Sequence, residues 1–250
     1  MRVLVLGGTG EARALAAGLV ENGVDVVSSL AGRVSAPALP VGQVRVGGFG
    51  GVDGLADHLV AEGFDRVVDA THPFAAQITA NAVAATARVG VPLVRLQRPG
   101  WSVHPLAATF TWVDDVDAAR RAAEGLGERP FLTTGRQQLE SFATWTDRYV
   151  LARVVDPPDW AVPAGWEVLR ARGPYPYADE RQLLESRRID VLLTKDSGGA
   201  LTEAKLAAAH DLAIPVVVVR RPAVPQGLRV VESVDEALAD VVAALDPKRT

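Results

Sequence analysis

The chain has 250 residues, 48% of them hydrophobic, which is enough for one large domain or two small ones with buried cores. Its net charge of −4 at pH 7 argues against non-specific nucleic-acid binding, and the lack of cysteine excludes disulfides, thiolate catalysis and cysteine metal sites. No segment resembles a signal peptide and no apolar run approaches the roughly 18 residues of a membrane span, so we expect a soluble, cytoplasmic protein with no membrane partner.

Strand and helix patterns alternate through the first 97 residues and predict one small doubly wound sheet. Residues 3–6 form a continuous apolar run, as expected for a strand buried on both faces. The other predicted strands cover residues 24–28, 43–46, 66–69 and 92–96. The predicted helices cover residues 11–20, 52–62 and 75–88.

The segment 97–108, rich in proline and glycine turn residues, interrupts this rhythm and predicts a linker, after which the pattern restarts. Predicted strands follow at 109–113, 130–133, 149–155, 166–170, 190–193 and 215–219. Predicted helices run from Asp114 or Asp115 to 124, then 137–144, 178–187, 201–210 and, after a capping box at Ser233 and Glu236, 235–245. We therefore predict an α/β protein of two Rossmann-like domains with parallel sheets and a cleft between them, residues 1–97 binding the cofactor and residues 98–250 the substrate.

The first strand runs directly into a glycine turn and then a predicted helix. Such a turn brings the backbone close to a phosphate, and the helix N-terminus supplies N–H groups and positive dipole. We assign Gly8, Thr9, Gly10 and Glu11 to cofactor binding. Because Arg13 replaces the third glycine of G-x-G-x-x-G, this predicts a variant nucleotide site; the alternative is a βα turn with no ligand.

The end of the second strand indicates which nucleotide is bound. NAD sites usually place a carboxylate there, about 20 residues after the glycines, to bind the ribose 2′-hydroxyl. Here the residues are serines and an arginine, which can bind a 2′-phosphate. NADPH is therefore favoured over NADH, with Ser28, Ser29 and Arg33 as candidate contacts; the alternative is that the serines only end a strand.

Small polar residues follow four predicted strands, at 7–10, 69–74, 133–136 and 194–199, where ligands bind in open α/β sheets. Only three of the 26 basic residues are lysine, so Lys195 in such a loop is favoured for its compact ammonium, with a surface lysine as the alternative. His72 is the one histidine in these loops, and the four histidines lack metal-ligand spacing, so no metal is predicted. The chain has no Tyr-x-x-x-Lys pair, phosphate-binding P-loop or G-x-S-x-G elbow.

Six motifs occur in an order that resembles the precorrin-6A reductase family, enzymes of the corrin branch leading to cobalamin. They are Leu-Gly-Gly-Thr-Gly-Glu-Ala-Arg at 6–13, Asp-Ala-Thr-His-Pro-Phe-Ala at 69–75, Arg-Pro-Gly-Trp at 98–101, Thr-Thr-Gly-Arg at 133–136, Leu-Thr-Lys-Asp-Ser-Gly at 193–198 and Ile-Pro-Val-Val-Val-Val-Arg-Arg-Pro at 214–222. The blocks around His72 and Lys195 are the most specific of them, and the likeness covers about residues 1–245.

The resemblance implies NADPH-dependent reduction of precorrin-6A, a tetrapyrrole substrate, to precorrin-6B. Candidate catalytic residues are Lys195 and His72, and Thr71, His72 and Pro73 join the cofactor site. Candidate substrate-binding residues are Thr134, Gly135, Arg136, Lys195, Ser197 and Gly198, with Arg98 and Arg153 as weaker anchors. The alternatives are a cobalt-precorrin-6A reductase that uses NADH, a non-catalytic NADP-binding protein, and a tetrapyrrole-binding protein or transferase that uses no nicotinamide.

Overall fold

The computed structural model describes residues 1–32 and 38–245. The chain divides into two compact units: unit 1 comprises residues 1–98 with the segment from Pro222 onwards, and unit 2 comprises residues 99–221. In the described ranges each unit contains a six-stranded sheet in which all paired strands run parallel, which confirms the predicted α/β class with two parallel sheets. No helix within those ranges is both long and apolar enough to cross a membrane.

The sheet of unit 1 has the strand order β12-β5-β4-β1-β2-β3. Its strands are β1 (Arg2–Leu6), β2 (Asp25–Leu30), β3 (Gln43–Val46), β4 (Arg66–Asp69), β5 (Leu93–Leu96) and β12 (Val230–Val231). Its helices are α1 (Gly10–Glu21), α2 (Val52–Ala61), α3 (Ala76–Val89) and α7 (Val234–Ala243). The central strand β1 is therefore flanked by the ends of β2 and β4, which brings three strand-end loops together in this unit.

Side chains of β1 alternate between two buried cores, one on each face of the sheet. Val3 and Val5 pack with residues of α1 and α7, whereas Leu4 and Leu6 pack with residues of α2 and α3. Successive strand side chains point to opposite faces, so a strand covered on both sides must be apolar at every position. Burying each leucine side chain stabilises the fold by about 2 kcal/mol relative to exposure.

The sheet of unit 2 has the order β6-β11-β10-β7-β8-β9. Its strands are β6 (Thr111–Val113), β7 (Pro130–Leu132), β8 (Val150–Val154), β9 (Trp166–Arg170), β10 (Val191–Lys195) and β11 (Val216–Val219). Its α-helices are α4 (Val116–Glu124), α5 (Tyr177–Ser186) and α6 (Ala204–Asp211), and short 3₁₀ helices cover Trp101–Val103, Ala107–Thr109, Arg136–Phe142 and Ala200–Thr202. Strands β7 and β10 are neighbours, so the loops that follow them lie at the same edge of the sheet.

The C-terminal segment belongs to a different unit from the one predicted by the division into residues 1–97 and 98–250. After Arg221 the chain returns to unit 1, where β12 pairs with β5 and α7 packs against α1. The apolar residues Ala237 and Val241 are fully buried in the core that α1 also lines. The returning segment thus completes one face of the first sheet, which α1 alone would leave partly uncovered.

Most predicted elements are present within two residues of their predicted ends, and two differ in kind. Residues 136–142 form a 3₁₀ helix, and the predicted helix 201–210 is split into a 3₁₀ turn and α6. At the split, the Thr202 carbonyl accepts a hydrogen bond from Lys205 Nζ, while the amide of Leu206 donates to the Glu203 carbonyl. The caps at Asp115 and Ser233 are confirmed: each side chain accepts a bond from an amide three residues on.

Candidate functional site

The glycine turn after β1 has the geometry that a nucleotide phosphate needs. Gly8 has a φ of 112°, which disfavours a side chain, and a Cβ placed on it would meet no atom within 4 Å in the part of the chain that the structure describes. Thr9 caps α1: its hydroxyl oxygen accepts from the Ala12 amide at 3.0 Å and the hydroxyl donates to the Ala70 carbonyl at 2.8 Å. The Thr9 side chain is therefore committed to holding the turn, which leaves backbone N–H groups of the turn and helix for a ligand.

A buried carboxylate supports the loop that follows β4. Asp69 is fully buried and ion-paired with Arg95 of the neighbouring strand β5. It also accepts hydrogen bonds from the amide and hydroxyl of Thr71 and from the hydroxyl of Thr79. Because its oxygens are shared among these partners, Asp69 fixes the backbone of Thr71 and thereby the start of the loop.

The other residues assigned to this loop line a small cleft with the glycine turn. The cleft is bordered by Thr9, Glu11, Thr71, Pro73, Gln97 and Arg98. Glu11 in the first turn of α1 is ion-paired with Arg98 at 2.9 Å. His72 Nδ1 accepts the amide of Phe74 at 3.2 Å. The structure thus brings together Thr9, Glu11, Thr71 and Pro73, four of the residues that we assigned to the cofactor.

The end of β2 lies next to the glycine turn. The amide of Gly7 donates to the carbonyl of Ser29 at 2.9 Å. Ser28 and Ser29 are buried, and in the described part of the chain Ser28 Oγ has no hydrogen-bond partner. A dinucleotide fits this arrangement, because a helix N-terminus and an unsatisfied hydroxyl lie where its phosphates and ribose are bound in such sheets. Arg33, also predicted to contact the cofactor, lies outside the described residues.

In unit 2, the loops after β7 and β10 carry the residues that we assigned to the substrate. The amide and hydroxyl of Thr133 both donate to the Leu193 carbonyl, which aligns the two loops. Thr134 is buried, and among the described residues its hydroxyl has no partner. Gly135 has a φ of 86° and starts the 3₁₀ helix that begins with Arg136. An unsatisfied hydroxyl beside a cationic side chain is suited to binding a polar substrate group.

Lys195 ends β10 and is largely shielded from water. This burial lowers the pKa of its ammonium from 10.5 to about 8, because desolvation disfavours the charged form. An ammonium with such a pKa is still protonated at neutral pH and gives up its proton far more readily than an exposed lysine. Lys195 can therefore act chemically as an anion anchor or as a proton donor.

The next residue, Asp196, is a buried brace rather than an exposed ligand group. Its carboxylate accepts the Trp101 amide at 2.6 Å and is ion-paired with Arg221 at 3.4 Å. The Arg221 guanidinium also donates to the carbonyls of Asp196 and Pro99. The ion pair of Asp196 with Arg221, called the brace below, thus connects the chain around Pro99 to the loop after β10.

Two glycines are required at this brace. A Cβ on Gly100 would lie 2.6 Å from a carboxylate oxygen of Asp196, and one on Gly198 would lie 2.1 Å from the Pro99 carbonyl oxygen. Gly198 also has a φ of 63°, which favours glycine. Packing between loops therefore accounts for both glycines, including Gly198, which we had assigned to the substrate. Ser197 lies between the brace and Gly198 in the same loop.

A second buried cluster lies beside this brace in unit 2. Arg153, a weaker candidate anchor, is buried in a bidentate ion pair with Glu180 and stacks on the ring of Tyr175. Lys205 is buried nearby, with its ammonium 4.6 Å from the centre of the Trp101 ring. Burial and the neighbouring Arg153 lower the pKa of Lys205 to about 7. The Arg153 guanidinium is thus committed to protein partners.

Sequence reasoning missed the residues that hold the loops. Asp69 and Asp196 stand in motifs that we recognised, yet nothing local distinguishes a buried brace from a ligand contact. Their partners Arg95 and Arg221 are distant in sequence, and only the pairing of adjacent strands brings them close. The signal that could have found them is a charged residue inside or directly after an apolar strand, where it is costly unless paired.

Comparisons with known proteins agree with this arrangement over the whole chain. The family model described as "Precorrin-6x reductase CbiJ/CobK" matches residues 2–242. A precorrin-6A reductase of Rhodococcus erythropolis is 54% identical over 239 residues, which are 95% of this chain and 96% of the relative. One from Mycobacterium tuberculosis (strain ATCC 25618 / H37Rv) is 51% identical over 237 residues, 94% of this chain and 95% of the relative.

A solved structure gives the same result for the fold. The structure titled "CobK precorrin-6A reductase" matches with a TM-score of 0.89 and 41% sequence identity, covering 100% of this chain and 99% of that chain. The resemblance predicted from the motifs is thereby confirmed: the chain belongs to the precorrin-6x reductase family.

Proposed function

We propose that this protein reduces precorrin-6A to precorrin-6B with NADPH. The observation that carries the proposal is the full-length similarity to precorrin-6A reductases. In this proposal unit 1 binds the dinucleotide and unit 2 binds the tetrapyrrole. When bound, the reduced nicotinamide supplies a hydride, and the protein supplies binding, orientation and a proton.

Residues of unit 1 hold the cofactor in this proposal. The glycine turn with Gly8 and Gly10 and the N-terminus of α1 bind the pyrophosphate through backbone N–H groups. Glu11 is neutralised by Arg98, so its carboxylate does not oppose the phosphates as strongly as an unpaired acid would. The described end of β2 carries no carboxylate, which supports NADPH over NADH.

The loop that follows β4 is assigned to the nicotinamide end of the cofactor. Asp69 holds Thr71 in place, and the turn holds the His72 ring through its Nδ1. Pro73 forms an apolar wall of the small cleft. His72 acts here by positioning the loop, since its Nδ1 accepts the Phe74 amide.

Residues of unit 2 recognise the substrate, which is broad and flat and carries several carboxylates. Arg136 and Lys195 provide cations for two of these arms, and the hydroxyl of Thr134 provides a further hydrogen bond. We assign the proton that accompanies hydride addition to Lys195, whose lowered pKa supports transfer near neutral pH. Ser197 and the amides near it are assigned to a substrate carboxylate.

A turnover assay tests the proposal directly. Purified protein is mixed with NADPH or NADH and with metal-free or cobalt-loaded precorrin-6A, and the near-ultraviolet absorbance of the reduced nicotinamide is followed. We expect consumption of NADPH that depends on the metal-free macrocycle. Consumption of NADH with the cobalt-loaded macrocycle would instead identify a cobalt-precorrin-6A reductase. Binding of NADPH without turnover of either substrate would identify a non-catalytic NADP-binding protein.

A further inference from the structure

The strand β3 carries an arginine at the position where a dinucleotide site distinguishes its two common cofactors. Arg45 is in register with Ser29, near the carboxyl end of β2. Its guanidinium donates to Ser29 Oγ at 3.3 Å, beside a strand end whose carbonyl is bonded to the glycine turn through Gly7. In this class of sheet the adenosine ribose is bound at that strand end, and an arginine nearby accommodates a 2′-phosphate.

Arg45 is held rigidly by its own loop. Its Nη1 donates to the Gly47 carbonyl at 2.7 Å, its Nη2 donates to the Gly48 carbonyl at 2.8 Å, and its carbon Cζ lies 3.8 Å from the centre of the Phe49 ring. With the bond to Ser29, these contacts use three of its five N–H groups. Within the described residues, Nε–H and one Nη2–H remain for a ligand.

The loop beside Arg45 consists largely of glycine. Gly47, Gly48, Gly50 and Gly51 follow β3, and a Cβ placed on any of them would meet no atom of the described residues within 4 Å. The loop therefore has little side-chain bulk around the guanidinium, which is only half-buried. Phe49 supplies an aromatic face against which Arg45 is already stacked, so the guanidinium loses little further freedom when it binds an anion.

We infer that Arg45, held by Ser29 and the glycine loop 47–51, binds the 2′-phosphate and makes this protein select a 2′-phosphorylated adenine dinucleotide. The inference rests on the proposed function and deepens it, because it assigns cofactor choice to a residue that the sequence motifs do not contain. A bidentate pair between a guanidinium and a phosphate monoester is stronger and more specific than a contact with a neutral ribose hydroxyl. Removing Arg45 should therefore affect only ligands that carry the 2′-phosphate.

Calorimetric titration with 2′,5′-ADP and 5′-AMP, which differ only in the 2′-phosphate, tests this inference. We expect the wild type to bind 2′,5′-ADP more tightly than 5′-AMP. Arg45→Ala should weaken 2′,5′-ADP binding at least tenfold and leave 5′-AMP binding within twofold. Arg45→Lys should fall between the two, because it keeps the charge and loses the planar fork. Arg88→Ala, which removes an exposed arginine paired with Asp53 on unit 1, is the matched control and should change neither affinity.

Each possible result decides the inference. Equal weakening of both nucleotides would show that Arg45 only holds the loop, and an unchanged preference for 2′,5′-ADP would place the phosphate elsewhere. If Arg45→Ala fails to fold by circular dichroism, the ratio of NADPH to NADH affinity in Arg45→Lys gives the answer: a fall of at least fivefold supports the inference and an unchanged ratio rejects it. Failure of the proposed function is distinct, since it is read from the turnover assay: the wild type would then consume no NADPH with the metal-free macrocycle, whatever its affinities for the two nucleotides.

Discussion

Replacing Lys205 by methionine should stabilise the protein at neutral pH. Lys205 is 3% exposed, and its ammonium lies near the Arg153 guanidinium, the Glu180 carboxylate and the Trp101 ring. Burial, followed by repulsion from Arg153, lowers its pKa from 10.5 to about 7, while Glu180 acts in the opposite direction. The unfolded chain therefore binds a proton at this lysine over a pH range in which the folded chain does not.

The sign and size of the effect follow from the two pKa values. Between pH 10.5 and 7 the unfolded state is favoured increasingly as pH falls, at up to about 1.4 kcal/mol per pH unit. Ionisation of Lys205 thus costs the folded state about 4 kcal/mol at pH 7 and about 2 kcal/mol at pH 9. Methionine has a similar length and no charge, and it loses the hydrogen bond to the Thr202 carbonyl, which is worth about 1 kcal/mol. We expect a net gain of about 1–3 kcal/mol at pH 7.

Urea unfolding of the wild type and Lys205→Met at pH 7, 8 and 9 measures this difference. The advantage of the variant in unfolding free energy should shrink by about 2 kcal/mol from pH 7 to pH 9. Arg88→Met, at an exposed ion pair, is the control and should show no such pH dependence. A difference between variant and wild type that is the same at all three pH values would refute the reasoning, because it would mean that Lys205 keeps its ordinary pKa in the folded state.

Three further predictions concern the loops at the strand ends. Lys195→Arg keeps a cation that is too basic to give up a proton, so kcat should fall roughly 100-fold with little change in substrate KM, and steady-state kinetics that retain kcat would leave only anchoring. Gly10→Val places a branched side chain at the start of α1, so NADPH affinity measured by calorimetry should fall at least tenfold while the melting temperature stays unchanged; normal binding would place the phosphates elsewhere. Asp196→Asn removes the charge that faces Arg221, so denaturant unfolding should show a loss of about 3 kcal/mol; an unchanged stability would contradict the role of Asp196 as a brace.

The regular elements could be predicted from sequence because their signals are local. Strands buried on both faces are continuous apolar runs, and helices start at capping residues such as Ser233. The two-residue strand β12 has no such signal, and its partner β5 lies more than 130 residues earlier in the chain. β12 pairs with β5 where the C-terminal segment returns to unit 1 and covers an apolar face of the sheet. The sequence of β12 alone does not contain that information.

The sequence assigns the candidate site to particular loops, and this assignment stays a prediction; individual roles are harder to assign. The polar strand ends identify where ligands bind in an open sheet, and the structure adds what each side chain contacts. Lys205 stands in an alanine-rich helical stretch and has the pattern of a surface lysine, although it is buried. Arg45 occupies an ordinary strand position, and its importance depends on its register with Ser29. Both assignments depend on contacts that the linear sequence does not contain.

The two units support their binding loops with the same arrangement. Asp69 ends β4 and pairs with Arg95 on the adjacent strand β5; Asp196 follows β10 and pairs with Arg221, which follows the adjacent strand β11. Each carboxylate also accepts a backbone amide from a loop, so the charge is buried without being left unsatisfied.

A buried pair of this kind contributes little net stability over apolar packing, and its advantage is that it fixes one loop geometry before a ligand arrives. The motif residues therefore separate into two groups with different experimental signatures. Substitution of a brace should lower stability and ligand affinity together. Substitution of a contact residue such as Arg45 should selectively lower affinity for the ligand that carries the 2′-phosphate.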